Sequence, residues 1–186
     1  MKRQPLIVWL CLCPAPALGQ TLTAADLAGA VVDARVTIDQ QVQRDGRQFP
    51  VQLTQRIRIV FLADNKIDWS ITPTSQTPRG VRHGATRKGS TTFGKPRDSR
   101  FLGGGQAVWL FEDGALTSLR TYGGAGGYKR TIAFARQGQS ITCNIKETFV
   151  REEGVGRVAL RSGIDSAPVT VISAKQVSSS CRVTGR

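Results

Sequence analysis

The sequence QFPVQLTQRIRIVFL, at residues 48–62, alternates apolar with polar residues over almost its whole length. Its odd-numbered positions are apolar except for Gln55, whereas its even-numbered positions include Gln52, Arg56 and Arg58. A period of two residues is typical of a β-strand that has one face in the core and the other in water. At about 3.3 Å per residue, the thirteen residues from Phe49 to Phe61 span roughly 43 Å, a length that suits a strongly curled sheet or a barrel.

The same alternation appears on both sides of this stretch. Residues 32–42 predict a first strand, and the Asp45-Gly46 pair predicts a tight hairpin between it and the organising strand. Residues 67–72 predict a third strand, which we expect to end at Pro73.

The second half of the chain continues the pattern with short strands and Gly-containing turns. With no helix longer than one or two turns, about eight or nine strands predict an all-β protein. We expect one domain over residues 20–186, in which a single antiparallel meander closes into a small β-barrel. The strands predicted in this half lie at residues 106–111, 116–122, 128–135, 141–149, 158–160 and 168–177.

Residues 1–19 have the composition of a cleaved secretion signal. Lys2 and Arg3 precede the apolar run LIVWLCLC at residues 6–13, and small residues precede Gln20. This apolar run is too short to span a bilayer, which takes about twenty residues. We therefore expect a mature chain that begins near Gln20 and lies in the periplasm or outside the cell.

Removal of the signal leaves Cys143 and Cys181 as the cysteines of the mature chain. An oxidising compartment favours a disulfide between them, which would stabilise the fold by about 3 to 4 kcal/mol by restricting the unfolded chain. Two buried free thiols are the alternative. Because His83 is the one histidine, these residues do not supply the four ligands of a zinc site, and we expect neither a metal nor a cofactor.

The mature chain is strongly basic. Loss of the signal reduces the Lys and Arg residues from 26 to 24 against 13 acidic residues, which leaves a net charge of +11. Such a protein is attracted to anionic surfaces. We interpret residues 78–105 as a long basic loop, with two very short strands as the alternative. Its basic residues are Arg79, Arg82, Arg87, Lys88, Lys95, Arg97 and Arg100.

The basic loop is a candidate polyanion-binding site. Arginine side chains bind phosphate and sulfate groups through paired hydrogen bonds. The loop therefore suits lipopolysaccharide or an acidic polysaccharide on an anionic envelope surface, although a solvated loop without a ligand is the alternative. Nucleic acid is disfavoured, because aromatic residues are not interleaved through the loop and because the expected compartment argues against it.

No arrangement of residues indicates catalysis, so we expect a protein that is not an enzyme and has no catalytic residues. His83 has no acid or nucleophile near it in the sequence, and Glu152 and Glu153 are neighbours that would point apart in a strand. The glycine cluster at residues 123–127 lacks the Lys-Ser/Thr ending of a phosphate-binding loop. A transmembrane barrel is a further alternative, disfavoured because aromatic girdles are not evident.

The chain is expected to have a helical turn after Thr23, Gly29 just before the first strand, an antiparallel meander and a late disulfide that fixes the C-terminal tail. This order of elements resembles that of the lipocalin-type, or calycin, barrels. Two positions after this glycine, where those barrels commonly have tryptophan, the chain has Val31.

This resemblance implies a protein whose barrel interior holds a small apolar or amphipathic ligand. The apolar faces of the predicted strands supply the candidate lining residues, which either surround a ligand or simply fill the core. These residues are Phe49, Leu53, Ile57, Phe61, Trp69, Trp109, Ile132 and Phe134.

Overall fold

The computed structural model describes residues 21–93, 107–121, 127–150, 159–160 and 169–185. The predicted signal at residues 1–19 lies outside these ranges, as do Lys95, Arg97 and Arg100. Within the described ranges, no helix is long and apolar enough to cross a membrane.

Strands make up most of the described chain, in agreement with the predicted all-β class. A single turn of 3₁₀ helix, Ala25–Leu27, precedes the first of them. The strands are β1 (Val31–Arg44), β2 (Arg47–Phe61), β3 (Lys66–Thr77), β4 (Gly80–His83), β5 (Arg87–Thr92), β6 (Ala107–Glu112), β7 (Ala115–Thr121), β8 (Gly127–Gln137), β9 (Ser140–Val150), β10 (Ala159–Leu160) and β11 (Val169–Thr184).

The strands form two antiparallel sheets. In the larger sheet the order is β10-β11-β1-β2-β3-β4, and β5 also pairs with β3. In the smaller sheet the order is β6-β7-β8-β9. The prediction of one meander that closes into a single barrel is therefore wrong: β11 pairs with β1, and no backbone ladder joins the two sheets in the described ranges.

The predicted hairpin at Asp45-Gly46, and a second hairpin at Asp113-Gly114, form where an Asp-Gly pair allows two consecutive residues to adopt positive φ. Asp45 and Gly46 have φ of 49° and 75°, and Asp113 and Gly114 have φ of 48° and 70°. Turns with this geometry match the right-handed twist of the strands that they join. They fix the register of β1 on β2 and of β6 on β7.

The prediction that the third strand ends at Pro73 is wrong, because β3 continues to Thr77. Along the edge of β3 away from β2, β5 pairs with residues 66–71 and β4 pairs with residues 74–77. Pro73 lies between these two ladders, where its carbonyl accepts a hydrogen bond from the backbone N–H of Gly84 (2.9 Å). Proline has no backbone N–H to donate, and at Pro73 neither β4 nor β5 pairs with β3. A strand tolerates proline at such a position.

The first half of the predicted basic loop is instead β4 and β5, the alternative of two short strands. Both strands pair with the edge of β3 that β2 leaves open. A long unpaired edge would leave a row of backbone groups without partners. Pairing therefore orders residues whose side chains are too polar to form a core of their own.

The last strand is longer than the prediction of residues 168–177, because β11 extends to Thr184 along β1. Its register shifts twice. One shift leaves Val177 as an extra residue between Ser178, which faces Thr37, and Gln176, which faces Ile38. Bulges of this kind bend a strand and increase its twist, and β11 contacts β9 of the smaller sheet as well as β1.

The core lies between the inner faces of the two sheets. Phe61 of β2 is 1% exposed. Its ring lies 6.0 Å from that of Phe93, 6.3 Å from that of Phe111 and 5.7 Å from that of Phe134, measured between centroids. The ring of Phe61 contacts these three rings edge-on, an arrangement that aromatic quadrupoles favour. The predicted inward face of the first strand is confirmed: Val32, Ala34, Val36 and Ile38 are all buried.

Candidate functional site

The structure brings most of the predicted lining residues together, but as a packed core. Five of them are buried and contribute to one hydrophobic cluster: Ile57, Phe61, Trp109, Ile132 and Phe134.

The other three predicted lining residues, Phe49, Leu53 and Trp69, are half-buried. Trp69 packs against Trp109, with 6.3 Å between the ring centroids. A ligand in this region would therefore contact the margin of the core, near Phe49 and Leu53, and not the centre where the aromatic rings contact one another.

An interior polar cluster, formed by Gln55, Arg130, Glu147 and Gln176, lies between the sheets. The Nε and Nη2 groups of Arg130 donate hydrogen bonds to Oε2 of Glu147, at 2.9 Å and 2.8 Å. Nη2 also donates to Oε1 of Gln55 on the opposite sheet. The side chains of Arg130 and Glu147 are only 8% and 3% exposed, so the ion pair is buried.

Gln176 of β11 connects this cluster to the backbone of β9. Its Oε1 atom accepts a hydrogen bond from the N–H of Glu147 (2.5 Å), and its Nε2 atom donates to the carbonyl of Ile145 (3.2 Å) and to Oγ of Ser179 (3.1 Å). Ile145 and Glu147 belong to β9, which is at the end of the smaller sheet. The side-chain amide of Gln176 thus forms hydrogen bonds with the N–H of Glu147 and the carbonyl of Ile145, two edge groups that would otherwise need a neighbouring strand as their partner.

The predicted disulfide joins the same two strands. Cys143 of β9 is bonded to Cys181 of β11, and their Cα atoms are 5.5 Å apart. Together with Gln176, this bond links the two sheets through side chains, where a closed barrel would have a backbone ladder. The free-thiol alternative is not observed.

The interior polar cluster was missed in the sequence analysis, although the alternation of residues contains a signal for it. Gln55 was recognised as the polar exception in its strand. Arg130 and Glu147 likewise occupy positions whose neighbours at i±2 are apolar or aromatic. A polar residue at such a position points into the core, where it needs a polar partner.

A second group of charged residues, here called the basic edge, comprises Arg79, Arg82, Arg87 and Lys88. Arg79, Arg82 and Lys88 are exposed, and Arg87 is half-buried. Neither β4 nor β5 contains an acidic residue. The strands that carry this positive charge are held by β3, so the backbone of the basic edge is ordered. Arg82 and Arg87 lie opposite Ser75 and Ile71 on the inner face of β3, whereas Lys88 lies on the outer face.

A third group lies on the outer face of the larger sheet, where sequence analysis assigned no site. Arg35 and Arg56 are exposed and face each other directly in the β1–β2 ladder. The nearby Arg58 instead forms an ion pair with Asp33 (2.9 Å). Among the described residues, neither Arg35 nor Arg56 has an acidic partner.

The described residues offer no assembled catalytic or metal centre. No group of three or more His, Cys, Asp or Glu side chains there is placed to hold a metal ion. His83 lies on the exposed strand β4, with Nδ1 at 3.3 Å from Oγ1 of Thr74. The disulfide removes the thiols of Cys143 and Cys181 as nucleophiles.

Comparison with known proteins gives no match: no family model, no curated protein and no solved structure matches the chain. Evidence for the function therefore comes from the interior polar cluster, the basic edge and the arginines on the outer face of the larger sheet.

Proposed function

We propose that this chain is an exported, non-catalytic protein that binds polyanions of the cell envelope, such as lipopolysaccharide or an acidic polysaccharide. The observation that carries the proposal is the basic edge. Arg79, Arg82, Arg87 and Lys88 lie on or next to two adjacent strands that contain no acidic residue. A surface of one charge attracts anionic polymers and raises their rate of association.

Order in the basic edge supports this proposal. A flexible loop loses conformational entropy when it binds, whereas a strand held in a sheet has already lost most of it. β5 pairs with β3 from Arg87 to Thr92, and β4 pairs with it from Gly80 to His83. The backbone that carries these cations is therefore fixed before a ligand arrives, which favours repeated contacts with a regular polymer.

A small apolar or amphipathic ligand held between the sheets is the second candidate function. Two observations favour it: Phe49 and Leu53 are half-buried on the inner face, and Arg130 supplies a buried cation nearby in the interior polar cluster. No described residue accepts a hydrogen bond from Nη1 of Arg130. The packed aromatic core and the two separate sheets weaken this candidate relative to polyanion binding.

The test compares the mature chain, beginning at Gln20, with two variants of equal net charge. The first carries Arg79→Gln and Lys88→Gln at the basic edge. The second carries Lys129→Gln and Lys146→Gln, which removes two exposed cations from the outer face of the smaller sheet. Binding to lipopolysaccharide and to polygalacturonate is measured by isothermal titration calorimetry at increasing salt concentration.

We expect the wild type to bind with an affinity that falls steeply as salt rises. The variant of the basic edge should bind about tenfold more weakly, since hydrogen bonds to charged groups are lost, and the variant of the smaller sheet should bind like the wild type. Absence of binding by the wild type to both polymers would refute the proposal. Equal losses in the two variants would reduce it to an effect of net charge alone.

A further inference from the structure

The outer face of the larger sheet contains two arginines in an arrangement that does not stabilise the fold. Arg35 and Arg56 are directly opposite in the β1–β2 ladder. Opposite residues in an antiparallel pair have Cβ atoms about 5 Å apart, and like charges at this separation are destabilising. Because these arginines repel each other and have no acidic partner among the described residues, they are available to an anionic ligand.

No acidic residue described on this face forms an ion pair with Arg35 or Arg56. Asp33 accepts two hydrogen bonds from Nη1 of Arg58 (2.9 Å and 3.0 Å), and Asp39 accepts one from Nε2 of Gln52 (3.0 Å). On β3, Asp68 lies four residues from Thr72, the residue that faces Arg56. At about 3.3 Å per residue, this places Asp68 roughly 13 Å along the strand from the arginine pair.

The pair is surrounded by hydroxyl groups and further cations. Ser180 of β11 faces Arg35, and Thr72 of β3 faces Arg56, so one row across four strands reads Ser, Arg, Arg, Thr. In the adjacent row, Arg182 and Lys88 are the two outermost residues. Lys88 also belongs to the basic edge, so the outer face meets the basic edge at this residue, whereas its neighbour Arg87 lies opposite Ile71 on the other face of the sheet.

The outward positions of β1, β2, β3 and β11 around this pair contain no aromatic side chain. Proteins that bind single-stranded nucleic acid stack the bases on aromatic rings. The hydroxyl groups instead suit a ligand that is itself rich in hydroxyl groups, with anionic groups at intervals.

We propose that Arg35 and Arg56 together bind a phosphate or sulfate ester on an extended polysaccharide that also contacts the basic edge. This inference rests on the proposed function and specifies its ligand. Two arginines whose Cβ atoms are about 5 Å apart can each donate a pair of hydrogen bonds, and together they can enclose one tetrahedral anion from two sides. Ser180, at one end of the row, is placed to bind a sugar hydroxyl group. Thr72, at the other end, already shares a hydrogen bond with Oγ1 of Thr86 (2.8 Å).

The experiment measures binding of the mature chain to phosphomannan, to dextran sulfate and to uncharged dextran. Phosphomannan and dextran sulfate distinguish phosphate from sulfate as the ester that is recognised. The test variant carries Arg35→Gln and Arg56→Gln. The matched control is the variant with Lys129→Gln and Lys146→Gln, which also removes two positive charges. The basic-edge variant, with Arg79→Gln and Lys88→Gln, is measured beside it and should bind more weakly, because the proposed polysaccharide contacts both sites.

We expect the Arg35→Gln, Arg56→Gln variant to bind the preferred polymer about tenfold more weakly, the loss expected for hydrogen bonds to a charged group. The variant with Lys129→Gln and Lys146→Gln should bind normally. A variant with Arg35→Lys and Arg56→Lys keeps the charge but loses the paired hydrogen bonds, and it should also bind more weakly. Full binding by this lysine variant would overturn the assignment of a paired guanidinium site.

The failure of this inference differs from the failure of the proposed function. If only the basic-edge variant loses binding, the pair is not the site, whereas polyanion binding stands. If the wild type binds neither charged polymer, both proposals are overturned. Thermal unfolding provides the control for folding: the melting temperature of the Arg35→Gln, Arg56→Gln variant should equal or exceed that of the wild type, because a repulsion has been removed.

Discussion

The interior between the sheets and the outer face of the larger sheet differ in whether their arginines have a charged partner. Between the sheets, Arg130 has a carboxylate partner in Glu147 and an amide partner in Gln55. On the outer face, Arg35 and Arg56 face each other without a counter-ion among the described residues. A buried charge without a partner costs several kcal/mol, whereas water screens an exposed one. Pairing is therefore obligatory inside, and its absence outside leaves the arginines available to a ligand.

Removing one member of the buried pair should have the largest effect on stability. The substitution Arg130→Met leaves the Glu147 carboxylate buried with no cation, and we expect a loss of about 3 to 5 kcal/mol in the free energy of unfolding. Urea denaturation followed by far-ultraviolet circular dichroism measures it. The double variant, with Arg130→Met and Glu147→Met, removes both charges and should recover most of the loss. Equal destabilisation in the single and double variants would contradict this account of the cluster.

The covalent link between the sheets should have the next largest effect. Replacing Cys143 and Cys181 with Ser removes a constraint on a loop of 38 residues, and we expect a loss of about 3 to 4 kcal/mol. Reduction of the wild type with dithiothreitol is the matched comparison and should lower the urea midpoint to a similar value. A midpoint unchanged by either treatment would show that Gln176 and the core suffice to hold β11 against β9.

A smaller loss is expected at Gly89, on the inner face of β5. A Cβ atom added there would lie 2.8 Å from Cζ2 of Trp69, closer than side chains pack. The indole of Trp69 is held against Trp109, so Gly89→Ala should displace it and cost about 1 to 3 kcal/mol. The next residue, Ser90, is exposed, and Ser90→Ala serves as the control. Tryptophan fluorescence should shift in the first variant only; the same spectrum in both would argue against this contact.

The sequence was sufficient to predict strands and their faces, because burial on one side forces a period of two residues. The hairpins at Asp45 and Asp113 followed from local turn chemistry. Barrel closure was not predictable in this way, since it depends on which distant strands meet. Here the side chain of Gln176 occupies the edge of β9 that a closing strand would need.

The candidate site was only partly predictable. The basic edge was identified from composition. Its ordered backbone, however, depends on the pairing of β4 and β5 with β3. Such pairing cannot be predicted from the sequence of either partner alone. Strand alternation put Arg35 and Arg56 on the polar faces of their strands, but their juxtaposition requires the β1–β2 register. That register follows from the two-residue hairpin, so the arginine pair could be predicted from the sequence once the turn was assigned.

The smallest predicted effects concern two arginines on β2, and they differ in sign. Arg58→Gln breaks the ion pair between Arg58 and Asp33, whose side chains are 56% and 48% exposed, respectively. This substitution should lower the free energy of unfolding by about 0 to 1 kcal/mol. Arg56→Gln relieves the repulsion with Arg35 and should stabilise the fold by about 0.2 to 1 kcal/mol. Urea denaturation at low and high salt measures both effects, which should shrink as salt screens the charges.

Destabilisation by Arg56→Gln, of the same size as that by Arg58→Gln, would mean that Arg56 has a stabilising partner within the fold, and the outer-face site would lose its main support. Stabilisation combined with weaker polysaccharide binding would instead show that the fold retains a repulsive pair because a ligand uses it.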